Sequence, residues 1–118
     1  MQAHEASVLQ ILAHALLEND QAVKAAELLE ALDALRPNEP RTLLALASAR
    51  LRSGSPDVAL QTLARLPPRA DAWPAAHLLK AQALSTLGQK NEAMVSMQRF
   101  LARRESKASS DNESDSPR

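Results

Sequence analysis

The 118-residue chain has no cysteine and no tyrosine, one tryptophan, one phenylalanine and two glycines. Without cysteine there is no disulfide, no zinc–thiolate site and no thiol nucleophile, which fits a reducing compartment. Two glycines and few Val, Ile and Thr leave little turn chemistry and few strand formers for a sheet. Neither charge sign is in excess, with 14 Lys and Arg against 14 Asp and Glu, so an overall basic footprint for nucleic acid is missing. No run approaches the ~18 uninterrupted apolar residues of a membrane span. The N-terminus places His4 and Glu5 ahead of its apolar run, where a signal peptide would be basic. What is present in quantity is 23 Ala and 20 Leu, residues at the head of the helix-propensity ranking. The composition predicts a cytoplasmic, all-α protein of one domain.

The alanines fall into columns. Ala25, Ala59 and Ala93 are spaced by 34, and Ala13, Ala47 and Ala81 keep the same interval twelve residues earlier. Pro40 and Pro74 share the spacing, as do Gly54 and Gly88. Leu29, Leu63 and Met97 follow the second alanine column by four residues, and Leu32, Leu66 and Phe100 by seven. Leu9 pairs with Leu43 and Leu12 with Leu46 in the same register. Three repeats therefore run over 6–39, 40–73 and 74–107 with no insertion or deletion. Each reads as a helix, a Gly-type turn and a second helix opening on Ala. Small residues let the two backbones approach, and leucines fill the holes beside them.

The expected helices are 4–18 and 21–36, the latter stopped by Pro37; 40–53; 56–66, with Ser55 as N-cap and Pro67-Pro68 as stop; 72–86; and 90–104. From 105 to 118 the sequence ESKASSDNESDSPR carries no large apolar residue and is expected to be a disordered polar tail after a domain spanning 1–104.

These columns, and above all LGQKNEA at 87–93, resemble the tetratricopeptide repeat (TPR). Asp20 stands where the turn glycine is expected, and His77 and Lys80 occupy columns that are Leu elsewhere. The resemblance implies three tandem repeats forming a short right-handed solenoid whose first helices line a concave, peptide-binding groove. It places the partner-binding residues at Ile11, His14 and Leu17 in the first repeat, Arg41, Leu44, Ser48 and Leu51 in the second, and Leu78, Leu79 and Gln82 in the third. An apolar track then runs Ile11, Leu17, Leu44, Leu51, Leu78, Leu79. TPR co-chaperones that clamp a C-terminal carboxylate need Lys, Arg and Asn at positions occupied here by Gln10, His14, Ala45, Ala75 and Leu79. None of these supplies a charge-assisted clamp, so the groove is expected to take apolar side chains.

Charge is unevenly distributed. The first repeat has six acids and two bases, the second two acids and five bases, the third two acids and six bases. A basic C-terminal half would steer an acidic partner. With Trp73 and Phe100 as the only aromatics, stacking on nucleic-acid bases is disfavoured. The last repeat's second helix is apolar on more than one side, and Met94 and Leu101 mark a second interface there.

Catalytic chemistry has no foothold. His4, His14 and His77 are far apart and form no ligand set, and there is no nucleophile motif or phosphate-cradling loop, so neither metal nor cofactor is expected. A three-repeat TPR chain of this size, with AAELLEALDALRPNEP and FLARR, is also similar to the small chaperones of bacterial type III secretion systems, of YscY (SctY) or YscG type. That similarity implies a cytoplasmic hetero-complex, peripheral to the inner-membrane export apparatus. The chain would hold an apolar helical segment of a secreted or export-apparatus subunit, without inserting into the membrane. A general TPR scaffold for a cell-envelope or regulatory complex is the alternative.

Overall fold

The computed structural model describes the backbone of residues 3–115 and the side chains of residues 8–107. Its elements are α1 (Ala3–Glu18), α2 (Ala22–Leu35), α3 (Pro40–Arg52), α4 (Pro56–Leu63), a 3₁₀ turn (Pro68–Ala72), α5 (Pro74–Thr86) and α6 (Lys90–Asp115). Among the described residues there is no strand, as the scarcity of β-branched and aromatic residues predicts. Three helices begin on proline (Pro40, Pro56 and Pro74), where the missing N–H has no helical partner to lose. Ser55 precedes α4 as expected, but its side chain makes no capping bond.

One turn geometry recurs at the repeat interval. Asp20, Gly54 and Gly88 all lie in the left-handed region, at φ of 59°, 90° and 82°. The N–H groups of Gln21, Ser55 and Gln89 then reach back to the carbonyls of Leu16, Arg50 and Leu84 at 2.7, 2.8 and 2.9 Å. This is the wide backward bond of a Schellman-type helix end, and it needs a residue that tolerates positive φ. Glycine supplies that freely; Asp20 does so at some cost. Asn38, at φ 62°, makes the other tight turn, and its N–H is held by Asp33 Oδ1 at 3.1 Å.

The chain divides into two compact units, Met1–Pro67 and Pro68–Arg118. Unit one stacks the hairpins α1/α2 and α3/α4. Its core joins Ala13 and Leu17 of α1, Ala25, Ala26 and Leu29 of α2, and Ala45, Leu46 and Ala49 of α3, flanked by Leu16, Ala22 and Leu28. Leu43, Thr42, Thr62 and Leu32 are also sealed. Unit two pairs α5 with α6 and docks the 3₁₀ turn on α5. Its interior is Ala70, His77, Ala81, Ala83, Leu84, Ala93 and Ser96. All six alanines of the two repeat columns are buried, which is the close-approach role expected of them.

Three boundaries differ from expectation by two residues or more. The helix expected over 56–66 is α-helical only to Leu63; Arg65 and Leu66 continue it with tighter three-residue bonds to Thr62 and Leu63 before the double proline ends it. The helix expected from 72 begins at Pro74, because residues 68–72 form the 3₁₀ turn. The last helix does not stop at Arg104 but continues to Asp115. Residues 116–118 of the expected tail lie outside the described ones. Glu105, Ser106 and Lys107 are exposed.

Candidate protein-interaction face

On α3, Arg41, Leu44, Ser48 and Leu51 recur at three- and four-residue spacing and so share one face. Leu44, Ser48 and Leu51 are half-buried, and Arg41 is exposed beside them. The opposite side of α3 is spent on the core through Leu43, Leu46 and Ala47. Arg50, on a third side, donates to Thr62 Oγ1 of α4 (2.5 Å) and to Glu30 of α2 (3.1 Å). That bracing leaves the Leu44–Leu51 stripe as the aliphatic surface that α3 presents.

On α1 the expected residues separate. His14 is exposed. Leu17 is a correction: at 6 % exposure it is part of the unit-one core and offers no surface to a partner. Gln10, one of the five clamp positions, is buried between helices; its Nε2 donates to Thr42 Oγ1 at 2.7 Å, and its Oε1 is left without a partner. Ile11 is 66 % exposed, but its register mate in the next repeat is Ala45, which is buried in the core with Ala13 and Leu17 of the preceding hairpin. The register therefore assigns Ile11 to a stacking side of α1, away from the stripe that continues Leu44.

In unit two, Leu78 and Leu79 of α5 are half-buried and Gln82 is exposed. Leu78 and Gln82 hold the positions that Leu44 and Ser48 hold on α3, so the same kind of aliphatic-and-polar stripe is presented. Met94 and Leu101 of α6 are both exposed. A shallow hollow of about 180 Å³ lies elsewhere on this unit, lined by Lys80, Leu84, Glu92, Val95, Ser96 and Arg99.

Ion pairs brace the units away from these stripes. In unit one Arg65 of the α4 end donates to Asp33 Oδ2 at 2.7 Å and to Asn38 Oδ1 at 2.8 Å. Partial burial pushes the Asp33 carboxyl up, but the Arg65 hydrogen bonds, the Asn38 N–H and the charges of Arg65 and Arg50 outweigh it and hold the group below the usual carboxylate range. In unit two Asp71 is the hub. Its backbone carbonyl lies 2.7 Å from His77 Nε2 and accepts from Arg103 Nε at 2.9 Å, while its carboxylate takes Arg103 at 2.7 Å. The Arg103 hydrogen bond, with the charges of Arg103, His77 and Arg99 and against slight desolvation, holds Asp71 low as well. No local motif announces these pairs, because Asp33–Arg65 and Asp71–Arg103 each span 32 residues. Both spans fall two residues short of the 34-residue repeat interval.

The five positions that would clamp a carboxylate are buried (Gln10, Ala45), half-buried (Leu79) or exposed (His14, Ala75), and none is Lys, Arg or Asn. Among the described residues no group of three or more His, Asp or Glu is placed to hold a metal ion, and no helix is long and apolar enough to cross a membrane. No curated protein matches the chain. The tetratricopeptide repeat family profile matches residues 16–83, more than half of the sequence. Such repeats are protein-interaction modules, typically without catalytic groups of their own. On its 34-residue columns, its recurrent left-handed turns and this match, the chain belongs to the tetratricopeptide repeat family.

Proposed function

We propose that the chain is a TPR chaperone of a bacterial type III secretion system, holding an apolar helical segment of one export-apparatus or secreted subunit. The observation that carries the reading is the half-buried aliphatic stripe Leu44–Leu51 on α3, repeated by Leu78 on α5, with no cationic clamp beside it. Covering the remaining exposed area of each leucine contributes on the order of 1 kcal/mol before association costs. Several such anchors are therefore needed, which suits an amphipathic helix with apolar residues at three- and four-residue spacing. Arg41 and Gln82 give the edges of the stripes polar contacts that fix the partner's register.

The test is capture of partners on the full chain from its native bacterium, with Leu44→Glu and Leu78→Glu in parallel. One small helical export subunit is the expected partner, lost with both variants while helical circular dichroism stays unchanged. A needle subunit held together with a second small chaperone would instead select the YscG type. Retention of the partner by both variants overturns the binding face. Recovery of several unrelated envelope or regulatory proteins replaces the chaperone reading with the general scaffold.

A further inference from the structure

Helices α1 and α6 each leave large apolar side chains exposed. In unit one α3 packs on α2 by setting Ala45, Leu46 and Ala49 against Ala26 and Leu29, in one sealed cluster. Moving one repeat back from Ala45 and Leu46 gives Ile11 and Leu12 of α1, which are 66 % and 48 % exposed. Moving two repeats forward from Ala26 and Leu29 gives Met94 and Met97 of α6, 61 % and 37 % exposed. Each face thus has the register of a stacking surface and larger apolar side chains than the internal version, yet neither is covered.

We infer that a second copy of this chain covers them, α1 of one molecule lying on α6 of the next as α3 lies on α2. Charge commits the occupant. The first repeat carries six acids against two bases, and the third six bases against two acids. Because α2 and α3 are joined by the short turn after Leu35, they run antiparallel. The same packing between molecules brings Glu18 and Asp20, at the end of α1, toward Lys90 at the start of α6. A self-pairing of two α6 faces would set Lys90 and Arg104, which flank Met94, Met97 and Leu101 on α6, against their own copies and is opposed by that repulsion. The contact is heterologous, so it adds molecules one at a time rather than stopping at a symmetric dimer.

Sedimentation of the full chain and of two variants, Ile11→Glu and Met94→Glu, tests this. Average mass of the unaltered chain is expected to rise past that of a dimer between micromolar and millimolar concentration, and to fall when salt is added. Each variant alone lacks one half of every joint and stays monomeric. An equimolar mixture forms a dimer that does not grow, since one intact α1 face meets one intact α6 face. Formation of that dimer also shows both variants folded; Leu101→Glu is the second block of the α6 face should Met94→Glu lose its circular dichroism. A monomer at every concentration overturns the inference, as does association that survives in either variant alone or a mixture that stays monomeric. Leu44→Glu leaves this self-association intact, so failure of the joint and failure of the partner-binding face are read separately.

Discussion

Leu29 and Met97 occupy the same column two repeats apart, yet the first is sealed and the second open to solvent. Leu46 and Lys80 make the same contrast one repeat apart, the leucine in the core and the lysine exposed. The alanine columns, by contrast, are buried in every repeat. Alanine columns govern how closely the two helices of one hairpin approach, a requirement each hairpin meets alone. Leucine columns govern how one hairpin meets the next, and Leu29 and Leu46 are sealed where the two hairpins of unit one stack. A repeat can thus lose its inter-hairpin columns while its hairpin survives.

The sharpest way to break this comparison is truncation within one column. Leu46→Ala is expected to destabilise unit one by about 2–5 kcal/mol, whereas Met97→Ala costs unit two about 1 kcal/mol or less. Urea unfolding separates the effects, because Trp73 is the lone tryptophan and lies in unit two, so its fluorescence follows that unit while circular dichroism follows both. Equal shifts of both signals in Leu46→Ala would mean that the columns do not partition stability by unit.

A smaller effect compares the turns. Gly54→Ala and Gly88→Ala should each cost about 1 kcal/mol, and the cost is conformational because nothing lies within 4 Å of an added Cβ at either site. Asp20→Gly should run the other way and stabilise by roughly 0.5 kcal/mol, relieving the positive φ. A destabilised Asp20→Gly would show that Asp20 contributes something beyond its backbone angle. Urea midpoints of the three variants decide.

The smallest effect concerns acid. Asp33 has its folded pKa lowered, so the stability it adds is fully present above the unfolded value and lost as pH falls through the folded one. Arg65 is more than a third exposed, and solvent screening holds the pair to about 0.5–1 kcal/mol. Asp33→Asn should therefore lower stability at neutral pH and flatten its decline below about pH 4. A variant whose pH profile parallels the unaltered chain would remove Asp33 from the account.

Much of this was legible in the sequence for a physical reason. Periodic alanines and the Gly54/Gly88 pair report local constraints, and local constraints leave a fixed spacing. Leu17 was misplaced because a helix's angular position does not say how deeply the neighbouring helix reaches across it, and the burial of Gln10 against Thr42 rests on a contact spanning 32 residues. The 3₁₀ turn escaped notice because Pro67-Pro68 announces only where a helix ends, whereas the conformation after it depends on Asp71 being held by His77 and Arg103. The helical run beyond Arg104 escaped for the opposite reason: composition weighs burial, and a helix extended from a packed one needs no further nucleation.

The backward bonds from Gln21, Ser55 and Gln89 also bear on how the chain reaches its native state. Each spans five residues, so each closes before any distant contact is made and costs little loop entropy. Every hairpin can form as an independent local nucleus, which places this topology among fast folders of low contact order. The order of later assembly is then a matter of which nuclei find a leucine-rich neighbour first.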